Sequence, residues 1–250
     1  RLRLGDIVTA GVHSMTKRGA RSVLSALGVS IGIAALVAVL GLSESSRAQL
    51  SDELSRLGTD LLVASPGTGF GTETASLDVA ASARIRNIGA VEGASSVVTT
   101  DAVVLRNQWM GDGDTRGISL TGADSALLDT LNATLASGDW PGGTWTSTPV
   151  GVIGADAAQR LGIGDLDAGP TVSVNGRVIT IVGILDPVTL ADSLDRSVIV
   201  STEMAETLTR SDLAPTSIYV RGTEETVDAV RGLLPATVSP LAPEEVEVSR

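Results

Sequence analysis

The chain has 250 residues, no cysteine and a single histidine, His13. Disulfides, thiolate nucleophiles and cysteine-ligated metals are excluded, and neither a Ser-His-Asp triad nor a multi-histidine metal site can form beyond that histidine. The chain has 18 basic and 29 acidic side chains, of which five basic and one acidic precede residue 22. Residues 22–250 therefore contain 13 basic and 28 acidic side chains, a net charge of −15. An acidic surface repels phosphate backbones, so nucleic acid is excluded as a partner.

The first 21 residues form a basic, amphipathic segment. Its apolar side chains share one helical face and basic side chains flank that face, a pattern typical of an interfacial helix on the cytoplasmic leaflet. A disordered basic leader is the alternative interpretation. The apolar side chains on this face are Leu4, Ile7, Val8, Val12 and Met15.

Residues 22–43 contain no charged side chain. A helix of ~20 apolar residues spans ~30 Å, the hydrocarbon thickness of a bilayer, so this segment is predicted to be a transmembrane helix. A signal peptide is the competing interpretation, but its apolar region would run only ~7–15 residues. Here a helical pattern continues without a breaker, which predicts a stalk helix over residues 44–58 that ends at Gly58.

The charges on either side of the span predict its orientation. Lys17, Arg18 and Arg21 precede it, whereas mainly acidic residues follow it. The positive-inside rule places such an N-terminus in the cytoplasm and the large domain outside the membrane.

Small residues form two rows within the predicted span. Gly28 and Gly32 form a G-x-x-x-G pair, and a second row has the same spacing. Small faces let helices approach closely in lipid, so the rows predict packing against other transmembrane helices. The alternative is that glycine and alanine are simply common in such spans. The second row consists of Ala26, Ser30, Ala34 and Ala38.

Beyond the stalk, predicted strands and helices alternate. The clearest signal is Thr171–Leu185, where two β-rich runs flank Asn175-Gly176, the pair preferred in a type I′ hairpin turn. Asp78, Ser201 and Thr223 are expected to cap helices. Further strands are predicted at residues 60–65, 96–105, 117–121, 150–153, 197–200 and 217–220, and helices at 78–87, 124–131, 156–161, 201–208 and 223–233.

No reaction centre emerges from the motifs. Gly67-x-Gly69-x-Gly71 lacks the G-x-G-x-x-G spacing, so it is interpreted as a loop. No P-loop sequence exists, and the only lysine is Lys17, so this chain cannot itself hydrolyse ATP by a P-loop mechanism.

Three further groups of residues leave a structural and a functional interpretation open. Asp112-Gly113-Asp114 resembles part of a calcium loop but lacks the remaining ligands, which favours a turn. An acidic loop around Pro187 could bind a cation or be simply solvated. The tryptophans could anchor a partner or pack in the core. The acidic loop carries Asp186, Asp192 and Asp195, and the tryptophans are Trp109, Trp140 and Trp145.

The order of several segments resembles one family. Leu27–Ala35 (LGVSIGIAA) followed by Val37–Leu40 is similar to the first transmembrane helix of MacB/FtsX-type ABC transporter permeases. Leu57–Val63 with Ser65–Gly67 resembles the start of that family's extracytoplasmic core domain. Gly138–Pro141 resembles a turn of that domain, with Asp139 in place of the usual arginine. Val150–Gly154 through Arg160–Gly162, and Val174–Gly176 through Ile181–Leu185, are similar as well.

The resemblance implies an α+β fold in which one N-terminal transmembrane helix with its stalk precedes a two-lobed extracytoplasmic domain. The domain would consist of a β-α-β porter-like lobe, residues 59–105 and 212–250, and an inserted β-rich lobe, residues 106–211. Residues 1–21 would be the cytoplasmic interfacial helix, 22–43 the transmembrane helix and 44–58 the stalk. The family places three more transmembrane helices after this domain.

The resemblance also implies a function. The chain would be a non-enzymatic permease subunit in the bacterial plasma membrane, without a cofactor of its own. ATP and magnesium would bind a partner ABC ATPase, whose motion the membrane helices pass to the outer domain for export, extraction or signalling. A second permease copy or homologue, membrane lipid, and an extracytoplasmic substrate or cell-wall enzyme are the other expected partners.

Two other classes of protein compete with the permease. One is a single-span membrane sensor or scaffold whose outer domain binds a ligand or a cell-wall enzyme. The other is a membrane-anchored hydrolase, which the missing cysteine and the position of the only histidine disfavour, although carboxylates alone could serve a glycosidase.

Overall fold

A computed structural model describes residues 24, 25, 27–35, 37, 60–67, 76–110, 117–142, 145 and 148–250. The chain divides into two compact units, Arg1–Leu54 and Ser55–Arg250. In the first unit, the described residues between 24 and 37 are helical and form helix α1. No helix of the described residues has both the length and the apolar character needed to cross a bilayer. The predicted interfacial helix and stalk lie outside the described residues.

The described part of the second unit is built on one ten-stranded sheet with helices packed against both of its faces. The predicted mixed helix and strand composition is therefore confirmed. The strands are β1 (Leu61–Pro66), β2 (Val91–Leu105), β3 (Ser119–Ala123), β4 (Leu135–Gly138), β5 (Val150–Ile153), β6 (Thr171–Val174), β7 (Arg177–Leu185), β8 (Ser197–Ser201), β9 (Ser217–Gly222) and β10 (Val246–Ser249). The helices are α2 (Ala81–Arg86), α3 (Leu127–Leu131), α4 (Ala155–Leu161), α5 (Asp192–Asp195), α6 (Thr202–Thr209) and α7 (Val227–Val238), with a 3-10 turn at Pro243–Glu245.

Four strands at one end of the sheet form a βαββαβ arrangement. Their order is β10-β1-β9-β2, and every neighbouring pair is antiparallel. Helix α2 connects β1 to β2, helix α7 connects β9 to β10, and the chain between β2 and β9 builds the rest of the sheet. The two helices cover one face, where they bury Leu62, Ile85, Ile218, Val230 and Leu234.

The other strands follow in the order β3-β8-β5-β7-β4. Strand β2 reaches into this part, because its first half pairs with β9 and its last residues pair with β6. Alternate residues of a strand face opposite sides of a sheet, and here each side has its own core. Val198 and Val200 face one core with α4 and α6, whereas Ile199 faces the other with α3, α5 and Trp145.

Local sequence signals account for several boundaries. The hairpin is confirmed, with Asn175 and Gly176 both at positive φ between paired β6 and β7. The Ser201 cap is confirmed too, because its hydroxyl accepts a hydrogen bond from the Met204 N–H. The prediction that Thr223 caps α7 is wrong, because α7 begins at Val227 and its N-cap residue is Thr226. The Thr226 hydroxyl does not cap the helix and donates to the carbonyl of Ala90.

Candidate functional site at the buried junction of Asp60

Strand β1 begins and strand β10 ends at the same end of the sheet. The two strands are antiparallel neighbours, with Val63 paired to Ser249. Helix α7 holds the end of β10, since the Arg231 guanidinium donates to the Val248 carbonyl at 3.3 Å and Arg250 forms an ion pair with Asp228 at 3.8 Å. The first and last strands of the domain are thus fixed side by side.

Asp60 lies directly before β1 and is buried. Its carboxylate Oδ2 accepts a hydrogen bond from Nη1 of Arg221 at 2.5 Å, and the two residues are only 5% and 7% exposed. Arg221 lies in β9 opposite Leu61 in the antiparallel ladder, and the next residue, Gly222, donates its N–H to the Asp60 carbonyl at 3.0 Å. The start of β1 is therefore held by both backbone and side-chain contacts.

The same arginine reaches a third element. Nε of Arg221 donates to the carbonyl of Thr130 at 2.7 Å, in the last turn of α3. Carbonyl groups at a helix C-terminus lack partners within the helix and carry partial negative charge, so a guanidinium stabilises them. Arg221 thus joins the start of β1 to β9 and to helix α3, which packs in the same core as Leu61 and Tyr219.

This arrangement suits mechanical connection better than catalysis. Removing one member of a buried ion pair leaves the other charge buried and costs about 3–5 kcal/mol. Neither charge faces an open cleft, because both side chains are less than 10% exposed. We therefore take Asp60, Thr130 and Arg221, together called the junction site, as the candidate functional site.

The residues predicted to pack in the membrane lie in the first unit. Of these, Gly28, Ser30, Gly32 and Ala34 are described, on an exposed helix where a Cβ added at either glycine would meet no atom within 4 Å. The large apolar side chains of α1 that the structure describes are all more than half exposed. The remaining predicted residues, Ala26, Ala38, Lys17, Arg18 and Arg21, fall outside the described side chains.

The acidic loop around Pro187 makes internal contacts. Asp186 accepts a hydrogen bond from the Thr134 hydroxyl at 2.6 Å, and Asp195 accepts one from the Val188 N–H at 3.0 Å. Within the described part of the chain, no group of three or more acidic or histidine side chains could hold a metal ion. Asp112, Gly113 and Asp114 fall outside the described residues.

The tryptophans divide between the two interpretations. Trp145 is 1% exposed in the core, and the Trp140 ring packs edge-on against it with centroids 4.4 Å apart. Trp109 is 85% exposed after the end of β2.

In the glycine-rich loop, Gly67 donates to the Glu245 carbonyl at 2.7 Å, whereas Gly69 and Gly71 are not described.

Sequence reasoning did not identify the junction site. Its two charged residues are 161 positions apart, and neither belongs to a motif. One signal was available, because Arg221 follows the apolar run Ile218-Tyr219-Val220 in a predicted strand. An arginine within a buried strand is almost never left unpaired, so an acidic partner could have been sought.

Comparison with known proteins agrees with this fold. The family model of the MacB-like periplasmic core domain matches residues 22–236. The macrolide export ATP-binding/permease protein MacB 1/2 of Paracoccus denitrificans is 32% identical over 192 residues, which are 65% of this chain and 29% of that protein. The chain therefore spans less than a third of the length of this curated relative.

Two solved structures share the fold at low sequence identity. The periplasmic region of MacB from Actinobacillus actinomycetemcomitans superposes with a TM-score of 0.60 at 15% identity, covering 77% of this chain and 89% of that one. The extracellular domain of the noncanonic ABC-type transporter YknZ from Gram-positive bacteria superposes with a TM-score of 0.60 at 13% identity. That match covers 76% of this chain and 100% of the YknZ domain. By its match to the family model over most of its length, the chain belongs to the MacB-like periplasmic core domain family.

Proposed function

We propose that this chain is part of the permease of a MacB/FtsX-type ABC transporter. Its outer domain would be moved by ATP hydrolysis on the other side of the membrane, for export, extraction or signalling. Membership of the MacB-like periplasmic core domain family supports the assignment to an ABC transporter permease. The name of the Paracoccus relative combines ATP-binding and permease functions. The ATPase of this system is therefore proposed to be either a separate subunit or another domain of the same protein.

The junction site is the observation that carries this proposal. A domain moved by membrane helices needs a stiff attachment where the chain passes from the helix to the domain. Asp60 lies directly before β1, and its buried carboxylate is bonded to Arg221. Arg221 in turn bonds to Thr130. We propose that displacement of the predicted stalk, residues 44–58, is passed through this site to β9 and α3.

The adjacent ends of β1 and β10 support the same arrangement. A domain placed between two membrane helices must return to the membrane close to where it left, and the Val63–Ser249 pairing fits this geometry. We propose a porter-like lobe of residues 59–105 and 212–250 and an inserted lobe of residues 106–211, with β2 reaching across both.

Helix α1 is proposed to cross the plasma membrane as part of residues 22–43. Its exposed leucine, isoleucine and valine side chains would be costly in water and suit lipid. The rows containing Gly28 and Gly32 would pack against helices of the same permease or of a second copy. Lys17, Arg18 and Arg21 would remain on the cytoplasmic side.

Cysteine labelling in intact cells tests this topology, because the chain has no cysteine of its own. We expect Glu224→Cys to react with a membrane-impermeant maleimide from outside. Ser14→Cys should react only after the membrane is permeabilised. Labelling of Ser14→Cys in intact cells would contradict the proposed orientation.

A second experiment separates the permease from a single-span sensor or scaffold. The full-length protein, tagged and purified from its native membrane in mild detergent, is expected to carry an ABC ATPase as partner or domain and to hydrolyse ATP. A protein without ATPase activity that instead retains a cell-wall enzyme would favour the sensor or scaffold.

A further inference from the structure

The junction site contains polar atoms that the ion pair does not use. Oδ1 of Asp60, Oγ1 of Thr130 and Nη2 of Arg221 are fully buried, and none of them has a hydrogen-bond partner within the described structure. The three residues are 5%, 1% and 7% exposed. Buried polar groups in folded proteins are nearly always paired with protein or with ordered water, so three such atoms on one connected set of residues require a partner.

The unpartnered nitrogen faces the same region as the two contacts already made. In the planar guanidinium Nη2 lies beside Nε, and Nε donates to the Thr130 carbonyl while Nη1 donates to Asp60. One residue thus places a free donor next to Thr130, whose hydroxyl can donate and accept, and next to Asp60, whose Oδ1 can only accept.

A glycine lets the Thr130 hydroxyl lie close to Arg221. Gly93 pairs with Arg221 across the β2–β9 ladder, at a point where the register of β2 is irregular. A Cβ added to Gly93 would lie 3.1 Å from Oγ1 of Thr130. A glycine within a strand often marks a bulge or a close approach, and here its missing side chain lets Thr130 pack directly on β2.

We propose that a buried water molecule binds between Asp60, Thr130 and Arg221. Internal waters typically make about three hydrogen bonds to buried polar groups that otherwise lack partners. The mixed chemistry favours water over an ion, since an anion would be repelled by the Asp60 carboxylate and a cation by the Arg221 guanidinium. This water site depends only on the geometry of the junction site, and it holds whether or not the domain serves a transporter.

Crystal structures of the full chain, at a resolution that shows ordered water, test the proposal. In the parent we expect a single peak within hydrogen-bond distance of Nη2 and of Asp60 Oδ1 or Thr130 Oγ1, with no anomalous signal after a bromide soak. Direct bonding of Oδ1 to Nη2 without such a peak would overturn the proposal, as would bound bromide.

Two variants remove the water in different ways. Gly93→Ala would place a methyl group 3.1 Å from Oγ1 of Thr130, so it is expected to displace that hydroxyl and lose the peak. The control Gly89→Ala, at a position with no atom within 4 Å of the added Cβ, should keep the peak. Thr130→Val removes one hydrogen-bonding group and is expected to lower the water's occupancy while the Nη1–Oδ2 bond remains. An unchanged peak in both Gly93→Ala and Thr130→Val would overturn the site.

Discussion

Arg221 and Asp60 form an ion pair inside the domain, with Nη1 2.5 Å from Oδ2 and each side chain less than 10% exposed. The pair connects the strand that begins the domain with a strand that follows it by 161 positions in sequence. Because Nε of the same guanidinium is committed to the Thr130 carbonyl, Arg221 has little freedom to follow Asp60 if that residue moves. We therefore expect displacement at the start of β1 to move β9 and α3 as well.

Arg221→Met is expected to destabilise the domain by about 3–5 kcal/mol, because the Asp60 carboxylate remains buried without its partner. Guanidinium unfolding followed by tryptophan fluorescence measures the loss, with Trp145 reporting on the core. As a control, Asp156→Asn disrupts the exposed ion pair with Arg160 at 3.8 Å. That substitution is expected to change stability by no more than ~1 kcal/mol.

The double variant Asp60→Leu with Arg221→Met should recover most of that loss. Replacing both members of a buried ion pair by apolar residues of similar volume is often neutral or stabilising, because no uncompensated charge remains. The same unfolding experiment checks this result. A double variant that is as unstable as both single variants added together would show that the two charges do not act as a pair.

Gly138→Ala is expected to disrupt the turn that follows β4. Gly138 has φ +81°, and an added Cβ would lie 2.1 Å from the Val182 carbonyl oxygen. The left-handed conformation alone costs roughly 1–2 kcal/mol for a non-glycine residue, and the contact with backbone adds to it. In thermal unfolding, Gly164→Ala serves as the control because its Cβ would meet no atom within 4 Å. Equal melting temperatures for the two variants would contradict the structure at this turn.

Tyr219 gives the domain a pH dependence in the alkaline range. Burial raises the pKa of its phenol above the ordinary 10.0, and a hydrogen bond with Ser193 partly opposes this effect. The unfolded phenol ionises first, so this contribution to stability is present below about pH 10 and is lost as pH rises further.

The pKa of Tyr219 can be measured directly, since it is the only tyrosine. The ultraviolet absorbance of phenolate should show one transition with a midpoint above 10 in the folded chain. In strong denaturant the midpoint should return to about 10. A folded-state midpoint at or below the denatured one would be inconsistent with a buried phenol.

Short-range sequence signals predicted the fold where they are strong. Asn175-Gly176 determined the hairpin, because few other pairs adopt positive φ at two successive residues. Helix α7 was harder to predict: it continues through Pro235 to Val238, five residues beyond the expected end, because its apolar face is held by the core. Strands β4 (LASG) and β10 (VEVS) were not predicted, because neither contains a run of apolar residues such as the one in β5 (VGVI).

The junction site could not be predicted from local pattern. Asp60 precedes an apolar run and resembles any polar residue at the start of a strand. Thr130 lies in the last turn of a short helix and belongs to no motif. The strand order β1-β9-β2 brings these residues together. Strand β9, which carries Arg221, pairs with β1 although a long stretch of chain separates the two strands. Only the tertiary fold places Arg221 between them.

We propose that ATP-driven motion reaches the outer domain through the junction site. Spin labels at Glu224→Cys, in the loop that follows β9, report this motion in the full-length transporter purified with its ATPase. We predict that the distance between labels on two permease copies shifts when ATP is added. Introducing Asp60→Leu with Arg221→Met should abolish that shift while ATP hydrolysis continues. A shift that persists in this double variant would contradict transmission through the junction site, and a label distance that ATP does not change in the parent protein would contradict ATP-driven motion of the domain.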